Sequence, residues 1–195
     1  ISAVLGLLPD NAHIGPGSSI VLDGIELVGL KERELREMRG TVLALVPQDP
    51  MSNLNPVMRI GTQVGEAVSV HARMERSEIE ERSVEALTRA GLPDAATRMK
   101  SYPHEFSGGM RQRSLIAMGL AKSPKLLIAD EPTSALDVTV QRTILDNLGA
   151  MVAESGTAVL LITHDLGLAA ERADRVLVMN NGKLVEHGGA RALLT

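Results

Sequence analysis

Two runs of consecutive apolar residues constrain the fold of this 195-residue chain more than any other feature of its sequence. Residues 126–129 and 159–162 are apolar at every position, so neither run has a polar face to turn toward water. Strands with this pattern are typical of a parallel sheet that is covered by helices on both sides. In strands with one solvated face, apolar and polar residues alternate. The chain is therefore expected to be an α/β protein.

The order of the remaining predicted elements indicates an α/β core that is interrupted by a helical insertion. Strand patterns occur at residues 19–22, 41–46, 125–129, 158–162, 175–179 and 183–186. Helix patterns occur at residues 31–39, 60–70, 77–90, 108–121, 138–154 and 166–172. Because no convincing strand lies between Met51 and Phe106, we predict a core of residues 1–50 and 122–195 and a helical subdomain of residues 51–121.

Local turn and cap signals add detail to this outline. Asn181-Gly182 separates the last two predicted strands and favours a type I′ hairpin, so antiparallel pairing is expected at that edge of the sheet. Ser77 followed by Glu80 is a capping-box pattern that predicts a helix start. Gly91 is expected to end the same helix.

The composition excludes several kinds of site. The chain has no cysteine, which excludes disulfides, thiolate zinc sites, iron–sulfur clusters and a cysteine nucleophile. Its 20 Lys and Arg against 24 Asp and Glu give a net charge of −4 and a pI near 5.8, which argues against a surface made for nucleic acid. No apolar run approaches the roughly 20 residues that a membrane-spanning helix needs.

Two adjacent carboxylates, Asp130 and Glu131, stand directly after the first apolar run. In open α/β sheets, ligands bind outside the carboxyl ends of the strands. A carboxylate in that place can hold Mg²⁺ together with phosphate and water oxygens, and a second one can position or deprotonate a water. The alternative is a charged turn that only ends a buried strand, and the strand alone does not decide between the two.

Ser107-Gly108-Gly109 precedes a predicted helix and is typical of a helix start that accepts an anion. Ser107 is a natural N-cap, and glycines in the first turn would leave the backbone N–H groups open to a ligand such as phosphate. Each glycine costs about 1 kcal/mol in a helix, so the pair requires a reason. An ordinary capped helix with a glycine-softened start is the alternative interpretation.

Three further residues are weak signals when each is taken alone. His164 follows the second apolar run and could bind a phosphate or a catalytic water, although a histidine there is more often a satisfied turn residue. Gln48 could reach a metal or a water, although a turn bracketed by prolines is the simpler interpretation. Asp137 could cap the following helix or face a partner.

Together, the order and type of these segments resemble the ATP-binding subunits of ABC transporters. Residues 106–112 are similar to the signature motif, usually LSGGQ, with Phe106 in place of Leu and Met-Arg ahead of Gln112. Residues 126–131 resemble the Walker B strand with its catalytic glutamate. The resemblance implies an α/β fold of the P-loop NTPase type, with a mainly parallel sheet and an inserted helical subdomain.

The resemblance extends to three shorter motifs and covers nearly the whole chain. Residues 134–137 are similar to the D-loop, Gln48 to the Q-loop glutamine and His164 to the switch histidine. In this family two subunits enclose two ATP molecules, and each site joins the phosphate loop and Walker B strand of one chain to the signature motif of the other.

The resemblance implies a role for each candidate residue. Glu131 would activate the attacking water, and His164 would contact the γ-phosphate, so these two are the expected catalytic residues. Asp130 would hold Mg²⁺, and Gln48 would contact the metal or the water. The nucleotide-binding residues that the resemblance implies are Gln48, Ser107, Gly108, Gly109, Gln112 and Asp137.

The sequences of three segments are similar to those of the dipeptide and oligopeptide importers: residues 47–56, 102–113 and 131–141. Nickel importers share much of these sequences, so the cargo stays open between peptides and nickel. The resemblance implies an ATPase that uses ATP and Mg²⁺ at the cytoplasmic face of the membrane. It implies permease subunits, a second ATP-binding subunit and, indirectly, an extracytoplasmic substrate-binding protein as partners, and no nucleic acid.

The family's phosphate-binding loop, G-x-x-x-x-G-K-[ST], does not occur in the sequence. Residues 1–8 resemble the end of the helix that this loop opens, stopped by Pro9, so the loop and the first strands are expected upstream. These residues alone are therefore expected to be inactive. A degenerate family member is the less favoured interpretation, because Asp130, Glu131 and His164 are all kept.

Two other kinds of function are kept as alternatives. A non-transport ABC protein that acts on DNA or in translation usually carries two cassettes or a long coiled-coil insertion. Here the insertion is short and has neither sustained heptads nor a basic stripe. A catalytically inactive regulatory module could be distinguished only by the residues upstream.

Overall fold

The computed structural model describes residues 1–134 and 136–194. The helices are α1 (Ser2–Leu5), α2 (Glu32–Met38), α3 (Pro50–Asn53), α4 (Ile60–Ser69), α5 (Arg76–Arg89), α6 (Ala95–Arg98), α7 (Gly108–Leu120), α8 (Val138–Ser155), α9 (Leu166–Arg172) and α10 (Ala190–Leu194). The strands are β1 (Val21–Leu22), β2 (Ile25–Glu26), β3 (Leu43–Val46), β4 (Leu126–Asp130), β5 (Ala158–Ile162), β6 (Arg175–Asn180) and β7 (Lys183–Gly189). Within these described ranges, every helix is too short or too polar to cross a lipid bilayer.

A parallel sheet with the strand order β3-β4-β5 forms the centre of the structure. The central strand, β4, contains the first of the two apolar runs, and its Leu127, Ile128 and Ala129 have no exposed surface. A strand covered on both faces and paired on both edges needs apolar residues at every position, since either face would otherwise bury a polar side chain. The prediction of a buried parallel strand is confirmed here.

The second apolar run lies in β5, which is an edge strand. No strand of the described part of the chain pairs with its outer side, and Val159 and Leu160 are 38% and 39% exposed. The prediction that this run is buried on both faces is wrong for these residues. Its sequence is that of a covered strand, but the described residues cover it incompletely.

The hairpin at Asn181-Gly182 forms as predicted. Both turn residues have positive φ, 49° and 75°, as a type I′ turn requires, and β6 pairs with β7 in antiparallel fashion. However, the two strands form a separate sheet and do not extend the parallel one. The expected attachment to the sheet edge is therefore wrong for the described residues, because they place no strand between β5 and the hairpin.

The helix α7 covers one face of the parallel sheet at very short range. A methyl group on Gly119 would lie 3.0 Å from Val46 Cγ2 and 3.2 Å from Leu127 Cδ1. Glycine at this position therefore lets the helix backbone approach the strands that lead to Gln48 and Glu131. The main hydrophobic core forms between α4, α5, α6, α7, α8 and this face of the sheet.

On the opposite face, Leu5 of α1 packs against Leu43 and Ile128. The helix ends at Gly6, which has a φ of 64°, and not at Pro9 as the sequence pattern predicts. Glycine adopts this left-handed conformation without a steric penalty and ends the helix before the proline is reached.

Arg39 fixes α1 to the chain that follows α2. Its Nε donates to the carbonyl oxygen of Leu5 at 2.8 Å, and its Nη2 donates to that of Gly6 at 3.2 Å. The same guanidinium binds both carboxylate oxygens of Glu32, at 2.6 and 3.0 Å. Arg39 thus satisfies carbonyl groups that the helix end leaves without partners.

The chain between β3 and β4 contains helices and no strand, as predicted. The start of α5 differs from the prediction, since Glu75 is the N-cap and no side chain caps the helix. The capping box of Ser77 and Glu80 is therefore wrong, because the backbone is already helical at Arg76 and Ser77 lies within the first turn. The end of the helix is as predicted, with Gly91 at a φ of 78°.

Candidate functional site

The candidate site lies at the carboxyl ends of the parallel strands, where ligands bind in open α/β sheets. Asp130 is the last residue of β4 and pairs with Ile162 of β5. Gln48 follows β3, Glu131 follows β4 and His164 follows β5. The structure therefore places the three predicted residues at the ends of three adjacent strands.

Both oxygens of the Glu131 carboxylate accept hydrogen bonds from the neighbouring strand ends. Gln48 Nε2 donates to Oε2 at 2.9 Å, and His164 Nδ1 lies 2.9 Å from Oε1. The Glu131 side chain is 23% exposed, whereas that of His164 is 75% exposed. We call Gln48, Glu131 and His164 the Glu131 cluster.

The backbone at Glu131 is unusual. Its φ of 43° lies in the left-handed region, which residues other than glycine rarely occupy. Its N–H donates to the carbonyl oxygen of Ile162 at 2.9 Å, so β5 holds the turn in place. Such conformations cost on the order of 1–3 kcal/mol and cluster at functional sites.

The contact between Glu131 and His164 changes the acid–base properties of the imidazole. The hydrogen bond to Glu131 raises the pKa of His164 above the ordinary value of 6.5, and the charges of Glu131 and Asp165 act in the same direction. More of the imidazole is therefore protonated at neutral pH than in a free histidine. A protonated ring can donate to an anion as well as to Glu131.

Asp130 is half-buried at the end of β4. Among residues 1–134 and 136–194, no three His, Cys, Asp or Glu side chains lie close enough together to bind a metal. Asp130 and the Gln48 amide offer oxygen ligands, which Mg²⁺ prefers, and Mg²⁺ commonly takes only one or two carboxylates and completes its shell with phosphates and waters. The donor set therefore fits Mg²⁺ in the presence of a phosphate ligand.

A small open pocket of about 90 Å³ adjoins the Glu131 cluster. It is lined by Glu131, Pro132, Thr133, Ser134, Gln141, Thr163, His164, Asp165 and Leu168. Sequence reasoning missed Gln141, because a polar residue within α8 looks like ordinary helix surface. Its place in the first turns of α8, the helix that follows Glu131 in the chain, is the signal that could have pointed to it.

Ser107 caps α7 as predicted. Its Oγ accepts a hydrogen bond from the Met110 N–H at 3.3 Å, and the preceding residue, Phe106, is buried. Gly108 and Gly109 form the start of the helix. Within the described part of the chain, no hydrogen bond joins residues 107–109 to the Glu131 cluster, so the structure does not bring these two groups together.

The predicted nucleotide contact of Gln112 does not agree with the structure. Gln112 is only 2% exposed, and its Nε2 has no hydrogen-bond partner in the described chain. A side chain enclosed within the protein cannot face a ligand at the helix start. The error arises because two residues separate Gly109 from Gln112, which places Gln112 on the buried face of α7.

Asp137 is the N-cap of α8, and its Oδ1 accepts from the Val140 N–H at 3.0 Å. The capping alternative is therefore observed, and the side chain is exposed. The segment predicted as a D-loop, residues 134–137, includes Ala135, which lies outside the described residues.

Comparison with known proteins identifies the group to which this arrangement is similar. The profile of the family described as "ABC transporter" matches residues 4–134. The oligopeptide transport ATP-binding protein OppD of Salmonella typhimurium is 50% identical over 189 residues, which are 97% of this chain and 56% of that protein. The peptidoglycan transport ATP-binding protein YejF of Agrobacterium fabrum is 46% identical over 194 residues, or 36% of its length. The chain therefore spans a little more than half the length of OppD and about a third of the length of YejF.

A solved structure shows the same fold. The dimeric ATP-binding cassette MJ0796, in a post-hydrolysis state bound to ADP and Pi, matches 87% of this chain and 72% of its own chain. The TM-score is 0.77 and the sequence identity is 28%. The prediction of an α/β fold of the P-loop NTPase type is confirmed.

Proposed function

This chain belongs to the ABC transporter family, and we propose that its protein is the ATP-binding and ATP-hydrolysing subunit of an importer. The observation that carries the proposal is the Glu131 cluster, in which the ends of three strands converge on one carboxylate. Phosphoryl transfer depends mainly on positioning and on charge stabilisation. A carboxylate held on both sides next to an open pocket meets the first requirement.

In this proposal Glu131 is the general base for the attacking water. It can take a proton once one of its oxygens is released from Gln48 or His164. His164, whose pKa is raised by Glu131, then donates a hydrogen bond to a terminal phosphate oxygen. Gln48 holds Glu131 in place and turns its amide toward the water when ATP is present.

Asp130 would hold Mg²⁺, with the amide oxygen of Gln48 as a further ligand. When bound, Mg²⁺ neutralises charge that develops on the phosphate oxygens. Asp130 is half-buried at the end of β4, directly before Glu131, which lines the pocket.

Residues 107–109 would act on the nucleotide of a second ATP-binding subunit. Ser107, Gly108 and Gly109 offer a hydroxyl and backbone N–H groups at the start of α7, where the helix dipole favours an anion. Asp137 would lie near the same interface. In this proposal the Glu131 cluster and Asp130 belong to a core of residues 1–50 and 122–195. Residues 107–109 belong to a helical subdomain of residues 51–121.

We further propose that the cargo is a dipeptide or oligopeptide, with nickel as the alternative. Two relatives, OppD and YejF, are named for the transport of oligopeptides and peptidoglycan. The other partners would be permease subunits and, indirectly, an extracytoplasmic binding protein, with the ATPase at the cytoplasmic face of the membrane. Peptide-dependent ATP hydrolysis in vesicles that carry the complete transporter would support this cargo, and nickel-dependent hydrolysis would contradict it.

The variant Glu131→Gln tests the catalytic proposal in the full-length protein. It keeps the shape and hydrogen-bonding reach of the side chain but removes the base. We expect unchanged ATP binding and a steady-state hydrolysis rate that falls on the order of 100-fold or more. Glu81→Gln, at an exposed position of α5, is the matched control and should hydrolyse ATP normally. Near-normal turnover of Glu131→Gln would show that Glu131 is not the base.

A further inference from the structure

The start of α7 and the start of α8 are in unusually close contact. A methyl group on Gly109 would lie 2.8 Å from Val140 Cγ1, which is closer than Cβ atoms approach in real structures. A methyl group on Gly108 would lie 3.2 Å from Leu136 Cδ2. Even alanine therefore does not fit at Gly109 unless the Val140 side chain or one of the two helices shifts.

Val140 has little freedom to move away. It is half-buried and packs against the main core, and a β-branched side chain in a helix is largely confined to one rotamer. The Asp137 cap accepts a hydrogen bond from its backbone N–H at 3.0 Å. One turn further along α8, Ile144 is 1% exposed and anchors the helix.

The other side of the α7 start is also held. Phe106, directly before the cap, is 3% exposed, and Arg111 Nε donates to the Pro103 carbonyl oxygen at 2.7 Å. Residues 107–109 are thus fixed between the buried Phe106 and the side chain of Val140. Their backbone N–H groups take their position from both contacts.

We propose that Val140 is a positioning residue for the backbone of residues 107–109, and that position 109 is glycine because Val140 occupies the space of a side chain. This proposal gives Gly109 a reason within its own chain, whereas open access for a ligand is the reason that the sequence pattern favours. It rests on the proposed function only for its catalytic consequence.

The contact has a consequence for the site. Val140 lies in the first turn of α8, nine residues after Glu131 in the sequence. A shift of the first turn of α8 would reach the start of α7 through the close contact between Val140 and Gly109. In this proposal the backbone of residues 107–109 therefore takes its position from the helix that follows Glu131 in the same chain.

A thermal-unfolding cycle on the full-length protein tests the packing. Gly109→Ala should lower the Tm by about 2–8 °C, as overpacking does, and Val140→Ala should lower it by a similar amount. In the double variant the clash is relieved, so its Tm should lie above the value expected from adding the two losses. Gly149→Ala, in α8 with open space around the added methyl, is the control and should not lose stability. Additive losses, or a fully stable Gly109→Ala, would overturn the proposal.

Steady-state ATP hydrolysis at a temperature well below the Tm tests positioning apart from stability. Val140→Ala should lower kcat by about tenfold with a smaller change in KM, since small displacements of positioned groups are costly, and the isosteric Val140→Thr should retain most of kcat. Leu148→Ala removes a buried side chain of the same helix and should leave kcat per folded molecule unchanged. A kcat of Val140→Ala equal to that of wild type would overturn the positioning role. A wild-type protein without ATPase activity would refute the proposed function, while the unfolding cycle would still decide the packing.

Discussion

Replacing Gln48 tests whether the Glu131 cluster holds the structure together as well as forming a site. Gln48→Ala removes the hydrogen bond that Nε2 makes to Glu131 Oε2 at 2.9 Å. Gln48→Glu has nearly the same shape but turns the donor into a second carboxylate. The two variants therefore separate the loss of a hydrogen bond from the gain of a repulsion.

The structure sets the size of each effect. A hydrogen bond to a charged group contributes roughly 1.5–3 kcal/mol to the free energy of unfolding when it is well shielded. Because Gln48 is exposed, the loss of stability in Gln48→Ala should lie at or below the lower end of this range. Two carboxylates about 4 Å apart repel each other by about 1 kcal/mol in water and about 4 kcal/mol at an effective dielectric constant of 20. Gln48→Glu should therefore be less stable than Gln48→Ala by about 1–4 kcal/mol near pH 8 and low salt.

Urea unfolding of the full-length variants measures these differences. The extra loss in Gln48→Glu should shrink in high salt and at about pH 4, where one of the two carboxyl groups takes up a proton. The double variant Gln48→Glu/Glu131→Gln exchanges donor and acceptor, so it should regain most of the stability of wild type. Equal stability of Gln48→Glu and Gln48→Ala at pH 8 and low salt would refute the hydrogen bond between residues 48 and 131.

Three further predictions concern acid–base behaviour and packing. NMR titration should place the pKa of His164 above 6.5, and Glu131→Gln should lower it, because the Glu131 carboxylate is the main cause of the shift. The stability from this pair should be full below pH 6.5 and be lost as the pH rises through the raised pKa, so a pair that instead gains stability above neutrality would contradict the assignment. In urea unfolding, Arg39→Ala should cost about 1–3 kcal/mol, because two hydrogen bonds to backbone carbonyls are lost. The control Arg33→Ala, whose ion pair is highly exposed, should cost less than about 0.5 kcal/mol. Equal losses in the two variants would argue against the capping role of Arg39. Gly119→Ala should cost about 1–3 kcal/mol by overpacking the sheet, partly offset by better helix propensity, and an unfolding midpoint above that of wild type would contradict the close approach.

The central strand and the carboxylates at its end could be predicted from the sequence, because every position of the run before them is apolar. An apolar run of this length, at residues 126–129, is typical of a central strand in a sheet that is covered on both faces. The carboxylates that follow it must then lie at the carboxyl edge. Gln48 and His164 were weak signals alone, and they gained meaning only because the parallel pairing puts the ends of neighbouring strands together.

The errors came from features that depend on distant parts of the chain. The apolar run in β5 predicted a covered strand, but covering depends on neighbours that the pattern cannot supply. Gln112 looked like part of the ligand-binding segment, yet the helical phase turns it inward to the 2% exposure that the structure shows. At Gly109 the pattern could not reveal a second constraint, because a methyl group there would lie 2.8 Å from Val140 Cγ1 of another helix.

The two adjacent carboxylates illustrate why spacing alone does not assign roles. Asp130 still belongs to the ladder of β4 and pairs with Ile162, so its direction is set by the sheet. Glu131 leaves the ladder with a φ of 43°, and the turn lets one carboxylate bind side chains from both neighbouring strands. A residue that continued the strand would point to only one face of the sheet. The left-handed backbone at Glu131 is therefore what separates a metal-holding carboxylate from a water-activating one in our proposal. Its conformational cost is offset by the bonds to Ile162, Gln48 and His164.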